Sequence, residues 1–384
     1  MKELFPGYYR PTQEEFDDLW KRATFVFDTN VLLHVHRRNK KTRRAILDTF
    51  KKLRERLWLP YEIAAEYQRN KLKVAHSLVD NCTPFLEGLT KLKEQLKSRD
   101  LREHPFLDAE ALTTGLDQLA EQVTKARDSS RSVSLDDEES IELASLLRGR
   151  IGEPYSGDVR SSKLKEAKGR AEKKTPPGYK DFESKKDDDL AGGDALIWFK
   201  LLDRAKETQC PIILVTDDQK EDWWLSFQGR THGPRPELGQ EMWSEAQQRF
   251  YMYTLSNFLE LAGKYLGQPV PAEVVKDIKE HEQEQRVLAR ERVEEIARLG
   301  SQRAEIQSFI EDHEKEKEDL VKQIAVLEGA PRSPSLTKEM KRMGRLQESR
   351  ERLAFIVNAI DNAMNVDAAI EDKILALFDE SSDG

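Results

Sequence analysis

The chain has 384 residues, of which 38% are hydrophobic and 35% are charged, and its formal net charge is -8. This length allows two or three domains, and a mean hydropathy of -0.72 favours a globular part plus a charged, extended part. No apolar run approaches the roughly 18 residues of a membrane span, and the two cysteines are too few and too far apart for a disulfide framework. We therefore expect a cytoplasmic protein without membrane contact.

Three short apolar runs predict strands in the first part of the chain. Residues 24–28 read as a buried strand that ends at Asp28, residues 57–60 as a second strand followed by a helix, and residues 211–216 as the clearest strand. Runs of this kind, separated by helical stretches, predict a parallel sheet with helices on both faces, a three-layer α/β/α fold. Ligands gather at the carboxyl ends of such strands.

The segment between the second and third strands, roughly residues 75–190, reads as an insertion into this domain. Residues 70–150 are helical and polar in pattern, and residues 156–190 combine a basic stretch with Pro176-Pro177-Gly178 and three consecutive aspartates. That composition predicts a mobile loop over residues 156–190. We assign residues 1–270 to the sheet domain with its insertion.

Residues 273–384 differ in character, since Glu, Lys, Arg and Gln dominate there. Apolar residues recur at heptad-like spacing before and after a break at residues 329–335 that is rich in Gly, Pro and Ser. Two such arms predict an antiparallel coiled-coil hairpin, whose most economical role is self-association or binding of a protein partner. The predicted seam contains Leu299, Ile306, Ile310, Leu320, Ile324, Leu327, Met343, Leu346, Leu353, Val357, Ile360 and Met364.

Carboxylates follow several of these apolar elements. Asp28 ends the first strand, Glu66 lies on the helix after the second, Asp194 follows a diglycine, and Asp217-Asp218 end the third. Each alone has a structural explanation as a helix cap, a surface residue or an Asx turn. Together they would repel one another at one sheet edge unless a cation compensates. Oxygen ligands alone favour Mg²⁺ or Mn²⁺ over zinc.

Five segments in this order resemble the PIN-domain nucleases, in particular their larger bacterial PIN-like branch. They are residues 25–33 (FVFDTNVLL), 59–67 (LPYEIAAEY), 176–181 (PPGYKD), 193–198 (GDALIW) and 215–224 (VTDDQKEDWW). The resemblance covers about residues 20–260 and excludes the heptad region. It implies an α/β/α fold and Mg²⁺- or Mn²⁺-dependent ribonuclease chemistry. The first acid of the family falls on Asp28.

The same resemblance implies the remaining site residues. The helix glutamate of the family falls on Glu66, its third acid on Asp194 and the acid of its Thr-x-Asp motif on Asp218. Glu62 competes with Glu66, although a cap at the start of its helix is the better assignment for Glu62. The resemblance also places Asn30, Thr216 and Asp222 next to the metal ligands and adds Asp217 to the ligands themselves. An alternative for Asp222 is that it only begins a helix at Trp223-Trp224.

Two further expectations concern substrate and role. A basic run close to Asp28 suggests phosphate binding, although a solvated helical face explains it equally well; it contains Arg37, Arg38, Lys40, Lys41, Arg43 and Arg44. The resemblance implies an endoribonuclease, and family members that serve as toxins or phage-defence (antiviral) effectors extend this to a defence role. RNA and single-stranded DNA are not distinguished. The alternative is a non-catalytic nucleic-acid- or protein-binding module whose hairpin mediates assembly.

Overall fold

The structure is a computed structural model that describes residues 1–131, 138–185, 187–228, 230–267 and 269–379. The described chain forms two compact units, Met1–Gln283 and Glu284–Gly384. The helices of the first unit, before the long one that continues into the second, are α1 (Gln13–Arg22), α2 (Thr29–Arg37), α3 (Lys40–Leu53), α4 (Tyr61–Asp80), α5 (Cys82–Leu96), α6 (Arg99–Arg102), α7 (Ala109–Arg131), α8 (Glu138–Leu147), α9 (Gly157–Glu172), α10 (Tyr179–Ser184), α11 (Asp188–Ala191), α12 (Gly193–Thr208), α13 (Pro236–Ala246) and α14 (Leu255–Tyr265).

A small parallel sheet organises the first unit. Its strands are β1 (Thr24–Phe27), β2 (Ile212–Val215) and β5 (Phe250–Tyr253), in the order β1-β2-β5. Parallel pairing brings Phe27, Val215 and Tyr253 level with one another, so the carboxyl ends of the three strands meet at one edge. Of the three predicted strands, those at residues 24–28 and 211–216 form β1 and β2 of this sheet, whereas β5 was not predicted.

The predicted strand at residues 57–60 forms only part of this sheet. Leu57 makes an isolated parallel bridge to Phe25, and Leu59 makes another to Ile151. Pro60, which follows at once, has no N–H to donate and precedes the first residue of α4. The segment therefore extends the sheet beyond β1 by single bridges and then turns into the helix that holds Glu66.

Large apolar side chains from the beginning and the end of the first unit fill the core. Trp20, Phe25, Phe27 and Phe258 are almost completely buried, and Trp20 stacks on Phe258 with ring centroids 5.6 Å apart. Burial of side chains of this size supplies most of the favourable free energy of folding. The described chain is mostly helical around the small sheet, and the three-layer arrangement stays a prediction.

Most of residues 156–190 form helices rather than the predicted mobile loop, and Lys186 lies outside the described residues. Helices α9, α10 and α11 occupy this segment. Its basic side chains meet acids: Arg160 pairs with Asp189, and Lys168 with Asp188. Two of the three consecutive aspartates therefore form ion pairs with the basic stretch before them. Composition alone did not predict these pairs.

Two antiparallel strands, β3 (Trp224–Phe227) and β4 (Arg230–Pro234), follow the strand-end acids. A helix at Trp223-Trp224 was the alternative offered for Asp222, and it is wrong because Trp224 begins β3. Trp223 and Trp224 are both buried. The two indoles anchor the segment beside the sheet, so Glu221 and Asp222 lie in a turn rather than at a helix start.

The long helix α15 (Ala272–Gly329) begins in the first unit and continues into the second. Its first turns are packed, since Val274 and Ile278 are buried and Glu282 accepts hydrogen bonds from the backbone N–H and hydroxyl of Ser256. The first unit therefore ends at Gln283, later than the boundary expected from composition. A helix that starts as part of a folded core and continues as a charged arm gives no composition break where the core ends.

The second unit contains the rest of α15 and α16 (Leu336–Asp379), separated by a break at the predicted place. Ion pairs join the two helices in antiparallel order: Glu295–Lys373, Arg303–Asp367, Glu316–Arg352 and Glu328–Arg350. Met343 and Met364 were predicted in the seam, and this is wrong because more than half of each residue's surface is exposed. Ser349 and Ile356 are buried instead, at the 3–4 spacing of a heptad seam. The coiled coil and its role in assembly stay predictions.

A stretch within Leu336–Leu377 satisfies the length and composition of a membrane span, with a mean hydropathy of 1.2. This is weak evidence, because the core helices of other proteins satisfy the same criteria. Asp361 and Asp367 lie in this helix, and Asp367 accepts two hydrogen bonds from Arg303. The expectation of no membrane contact stays a prediction.

Candidate metal centre

Asp28 stands where β1 ends and α2 begins. Its backbone N–H bonds to the carbonyl of Val215 on β2, and its Oδ1 accepts a hydrogen bond of 2.8 Å from the N–H of Thr29. Asp28 is therefore the N-cap of α2, as its structural explanation required. The cap uses one carboxylate oxygen and leaves Oδ2 turned toward the end of β2.

Two polar side chains hold Oδ2 of Asp28 in place. The Thr216 hydroxyl donates to it at 2.6 Å, and the Asn30 amide donates at 3.3 Å. Thr216 also accepts a hydrogen bond from the backbone N–H of Asp218, at 3.0 Å. The end of β1 and the loop after β2 are thus tied together through Thr216, which supports the near-shell assignment of Asn30 and Thr216.

Glu66 approaches the same place from α4. The Thr29 hydroxyl donates to Glu66 Oε2 at 2.9 Å. Thr29 therefore orients both acids, Asp28 through its backbone N–H and Glu66 through its hydroxyl. Glu62 does not cap its helix: the N-cap, Pro60, receives no side-chain hydrogen bond, and both carboxylate oxygens of Glu62 are buried without a hydrogen-bond partner. The prediction that Glu62 is a cap is therefore wrong.

Asp194 and Asp218 complete the predicted set. Asp194 lies in the first turn of α12, after the N-cap Gly192 rather than as the cap itself, and its Oδ2 accepts from the Trp223 indole N–H at 3.1 Å. Asp218 accepts from the backbone N–H of Lys220 at 2.8 Å. Each acid has a fixed hydrogen-bond donor, so its direction is set before any ligand binds.

Electrostatics shows that the four acids influence one another. Burial, with the nearby charges of Glu66, Asp194 and Asp218, raises the pKa of Asp28 to about 7 although the Thr216 hydroxyl opposes the rise. Burial also raises the pKa of Glu66 and Asp218. Groups that raise one another's pKa in this way lie within electrostatic reach and favour a cation among them.

A lysine and a further aspartate, which were not predicted, belong to this site. Lys220 Nζ lies 2.7 Å from Asp181 Oδ1, 3.3 Å from Asp218 Oδ2 and 3.4 Å from Asp194 Oδ2. Burial would raise the pKa of Asp194, but the Lys220 charge and the Trp223 hydrogen bond outweigh it and hold the pKa below its ordinary value. Asp181 ends the Pro176–Asp181 motif, so the signal lay in a segment already singled out.

Asp217 is turned toward a different set of partners. Its Oδ2 lies 2.6 Å from His34 Nε2, and its Oδ1 accepts from the backbone N–H of Leu255 at 3.2 Å. Burial would raise the pKa of Asp217, but the His34 hydrogen bond and charge outweigh it and lower the pKa. Both oxygens are thus engaged in tying the loop after β2 to α2 and α14. Asp217 as a metal ligand stays a prediction that these contacts do not support.

Asp222 anchors the loop before α10. It is completely buried, and its Oδ2 accepts from the backbone N–H groups of Gly178 and Lys180, at 3.0 and 3.1 Å. Gly178 has φ of +91°, and a Cβ there would lie 3.2 Å from Asp194 Cβ. Only glycine fits so close an approach at that φ. Asp222 therefore positions the segment that holds Asp181, a near-shell role.

The basic run near Asp28 is largely occupied with protein partners. Arg38 donates to His34 Nδ1 at 3.0 Å, and three further members contact acids: Lys41 with Glu273, Arg43 with Glu139, and Arg44 with Asp48 and Glu142. These contacts are compatible with the alternative explanation of the run as a solvated helical face. Phosphate binding by Arg37, Arg38, Lys40, Lys41, Arg43 and Arg44 stays a prediction.

The donor chemistry of the site fits a hard divalent cation. Asp28, Glu66, Asp194 and Asp218 offer only carboxylate oxygens, the ligands that Mg²⁺ and Mn²⁺ prefer. The acids are not drawn into a ligand shell here: in the described ranges, no group of three or more His, Cys, Asp or Glu side chains is arranged to hold a metal ion. The Lys220 ammonium instead supplies positive charge within contact distance of two of the four acids.

Comparison with known proteins agrees with this arrangement. A family model described as a PIN-like domain matches residues 24–238, more than half of the chain. No curated protein and no solved structure matches the chain at a significant level. PIN-like domains are usually nucleases, act on nucleic acids and generally use divalent metals. The chain, whose strand-end acids all fall within the matched residues, therefore belongs to the PIN-like domain family, and this membership indicates a nuclease-type function.

Proposed function

We propose that this protein is a metal-dependent endoribonuclease that hydrolyses phosphodiester bonds, with Mg²⁺ or Mn²⁺ held by Asp28, Glu66, Asp194 and Asp218. One observation carries the proposal. Burial, together with three acids from separate elements (α4, α12 and the loop after β2), raises the pKa of the strand-end Asp28 to about 7. Several acids concentrated at the carboxyl end of a parallel sheet are the arrangement that a divalent cation stabilises.

The residues of the chain have distinct parts in this chemistry. When bound, a divalent cation supplies neutralisation of the phosphodiester charge and activation of water. Thr216 and Asn30 hold Asp28 Oδ2, Thr29 directs Glu66, and the Trp223 indole directs Asp194. Burial and the neighbouring acids raise the pKa of Asp28 to about 7, and a bound cation would favour the ionised form that a metal ligand needs. Fixed donors of this kind lower the cost of reorganising the site.

A non-catalytic binding module is the second candidate. The observation in its favour is that no three acids in the described chain are arranged to hold a metal ion. In that case the helices of the second unit would mediate assembly, as a homo-oligomer or with a protein partner. A role as a toxin or phage-defence effector in the cytoplasm belongs to the first candidate and rests on resemblance alone.

The full chain incubated with total RNA, and separately with single-stranded DNA, tests the proposal. We expect RNA cleavage with Mn²⁺ or Mg²⁺ and none with EDTA, because the acids need a cation to act on a phosphodiester. Cleavage of DNA alone would keep the metal site but change the substrate class. Intact RNA and DNA under every condition, with retention of either in a gel-shift measurement, would contradict the enzyme and favour the binding module.

A further inference from the structure

Lys220 occupies an unusual position for a lysine. Its Nζ contacts three carboxylates from three elements: Asp181 of α10, Asp194 of α12 and Asp218 of the loop after β2. Only 35% of its side chain is exposed. A partly buried ammonium among three acids is held by charge rather than by apolar packing, so it supplies the positive charge that keeps the acids together.

The three contacts are unequal. The pair with Asp181 is the shortest, at 2.7 Å, and Asp181 has only 7% of its side chain exposed. The other two contacts, at 3.3 and 3.4 Å, involve the two acids proposed to hold a metal. Asp181 lies outside the proposed metal set, and Lys185 also contacts it, at 2.6 Å. Lys220 therefore makes its shortest contact with Asp181, which is not one of the proposed metal ligands.

The backbone of Lys220 is fixed independently of its side chain. Its N–H donates to Asp218 Oδ1 at 2.8 Å, so the main chain keeps its place while the flexible four-carbon stem moves. A rotation of the stem toward Asp181 would release Asp194 and Asp218 without disturbing the turn. One positive charge cannot balance the acids as fully as a divalent ion can.

We propose that the Lys220 ammonium is a built-in counter-ion that occupies the acidic site until a divalent cation replaces it, and that Asp181 retains the lysine once the cation binds. This inference rests on the proposed function, because it assumes that Asp194 and Asp218 bind metal. It accounts for acids that converge without forming a ligand shell. It also gives a role to Asp181, which is not one of the proposed metal ligands.

Calorimetric titration of Mn²⁺ into the full chain and into Lys220→Met tests this inference. Removing a positive charge that competes for the same acids should tighten Mn²⁺ binding by about ten- to a hundredfold. Lys220→Arg, which keeps the charge, should bind no more tightly than the wild type. The matched control is Lys180→Met, since the Lys180 ammonium contacts Glu183 and Glu221 instead, and its Mn²⁺ affinity should stay at the wild-type value.

Folding of the variant offers a second measurement. If Lys220→Met is unfolded without metal, Mn²⁺ should restore its far-ultraviolet circular dichroism, because the ion replaces the missing charge. Failure of Mn²⁺ to restore it would overturn the inference. Equal or weaker Mn²⁺ binding by a folded Lys220→Met would also overturn it while leaving the proposed metal site intact. No Mn²⁺ binding by either protein would overturn both proposals.

Discussion

Asp28→Asn should reduce metal-dependent cleavage by about a hundredfold or more, since loss of even an outer partner of a metal ligand costs roughly ten- to a hundredfold in activity or affinity. Asparagine keeps the size of the side chain, and its amide oxygen can still accept from the Thr29 N–H that Asp28 caps. What it loses is the negative charge at the meeting point of β1 and β2. Initial rates of RNA cleavage with Mn²⁺ measure this effect.

The control must show that the loss concerns the site and not the fold. Asp18→Asn is the matched substitution, because the Asp18 carboxylate is exposed and pairs only along α1 with Arg22 in the contacts described. We expect wild-type cleavage from Asp18→Asn, and closely similar melting temperatures for both variants. Undiminished cleavage by Asp28→Asn would remove Asp28 from the metal site and contradict the proposed chemistry.

Asp222→Ala should lower the free energy of unfolding by roughly 2–4 kcal/mol, since it leaves the buried N–H of Gly178 and the partly buried N–H of Lys180 without their acceptor, and each costs about 1–3 kcal/mol. Asp222→Asn should stay within about 1 kcal/mol of the wild type. Its amide oxygen can accept both hydrogen bonds, and its nitrogen replaces Oδ1, which has no hydrogen-bond partner. Denaturant unfolding at pH 8 compares the three proteins.

The pKa of Asp222 also predicts how the free energy of unfolding changes with pH. Burial and the Asp194 charge raise the pKa of Asp222 to about 6, above the value of 3.8 for a free side chain. A raised pKa means that the folded protein binds more protons than the unfolded chain between these values. Relative to Asp222→Asn, the wild type should therefore lose stability as pH rises from about 4 to 6. Equal stabilities of the Ala and Asn variants would contradict the anchoring role of Asp222.

Strong local signals made part of the fold predictable. The apolar runs of β1 and β2 are followed by carboxylates, and both strands form as expected because every residue in them is buried. The strand β5 was missed although its run Phe-Tyr-Met-Tyr has the aromatic residues and the alternation that favour a strand. The Trp223-Trp224 pair indicated a helix, but the partners that place Trp224 in β3 lie up to ten residues further along the chain.

The sequence predicted the acids of the candidate site that follow apolar elements. It did not predict the ion pair between Lys220 and Asp181, which lie far apart in the chain. Asp28, Glu66, Asp194 and Asp218 stand near apolar elements, so their convergence follows from the topology of a parallel sheet. Lys220 lies between acids in the sequence, where a lysine usually belongs to a solvated turn. Its contact with Asp181 spans 39 positions of the chain, and such a pair is visible only after α10 and the loop after β2 are folded together.

Crystals of the full chain soaked in Mn²⁺ would test the central claim most directly, because anomalous scattering locates the ion without reference to activity. We expect an anomalous peak among the carboxylates of Asp28, Glu66, Asp194 and Asp218, at the carboxyl end of β1 and β2. Oxygen ligands should lie about 2.0–2.2 Å from the peak, as for a small hard cation. A fully soaked crystal with no peak among these four acids would contradict the account.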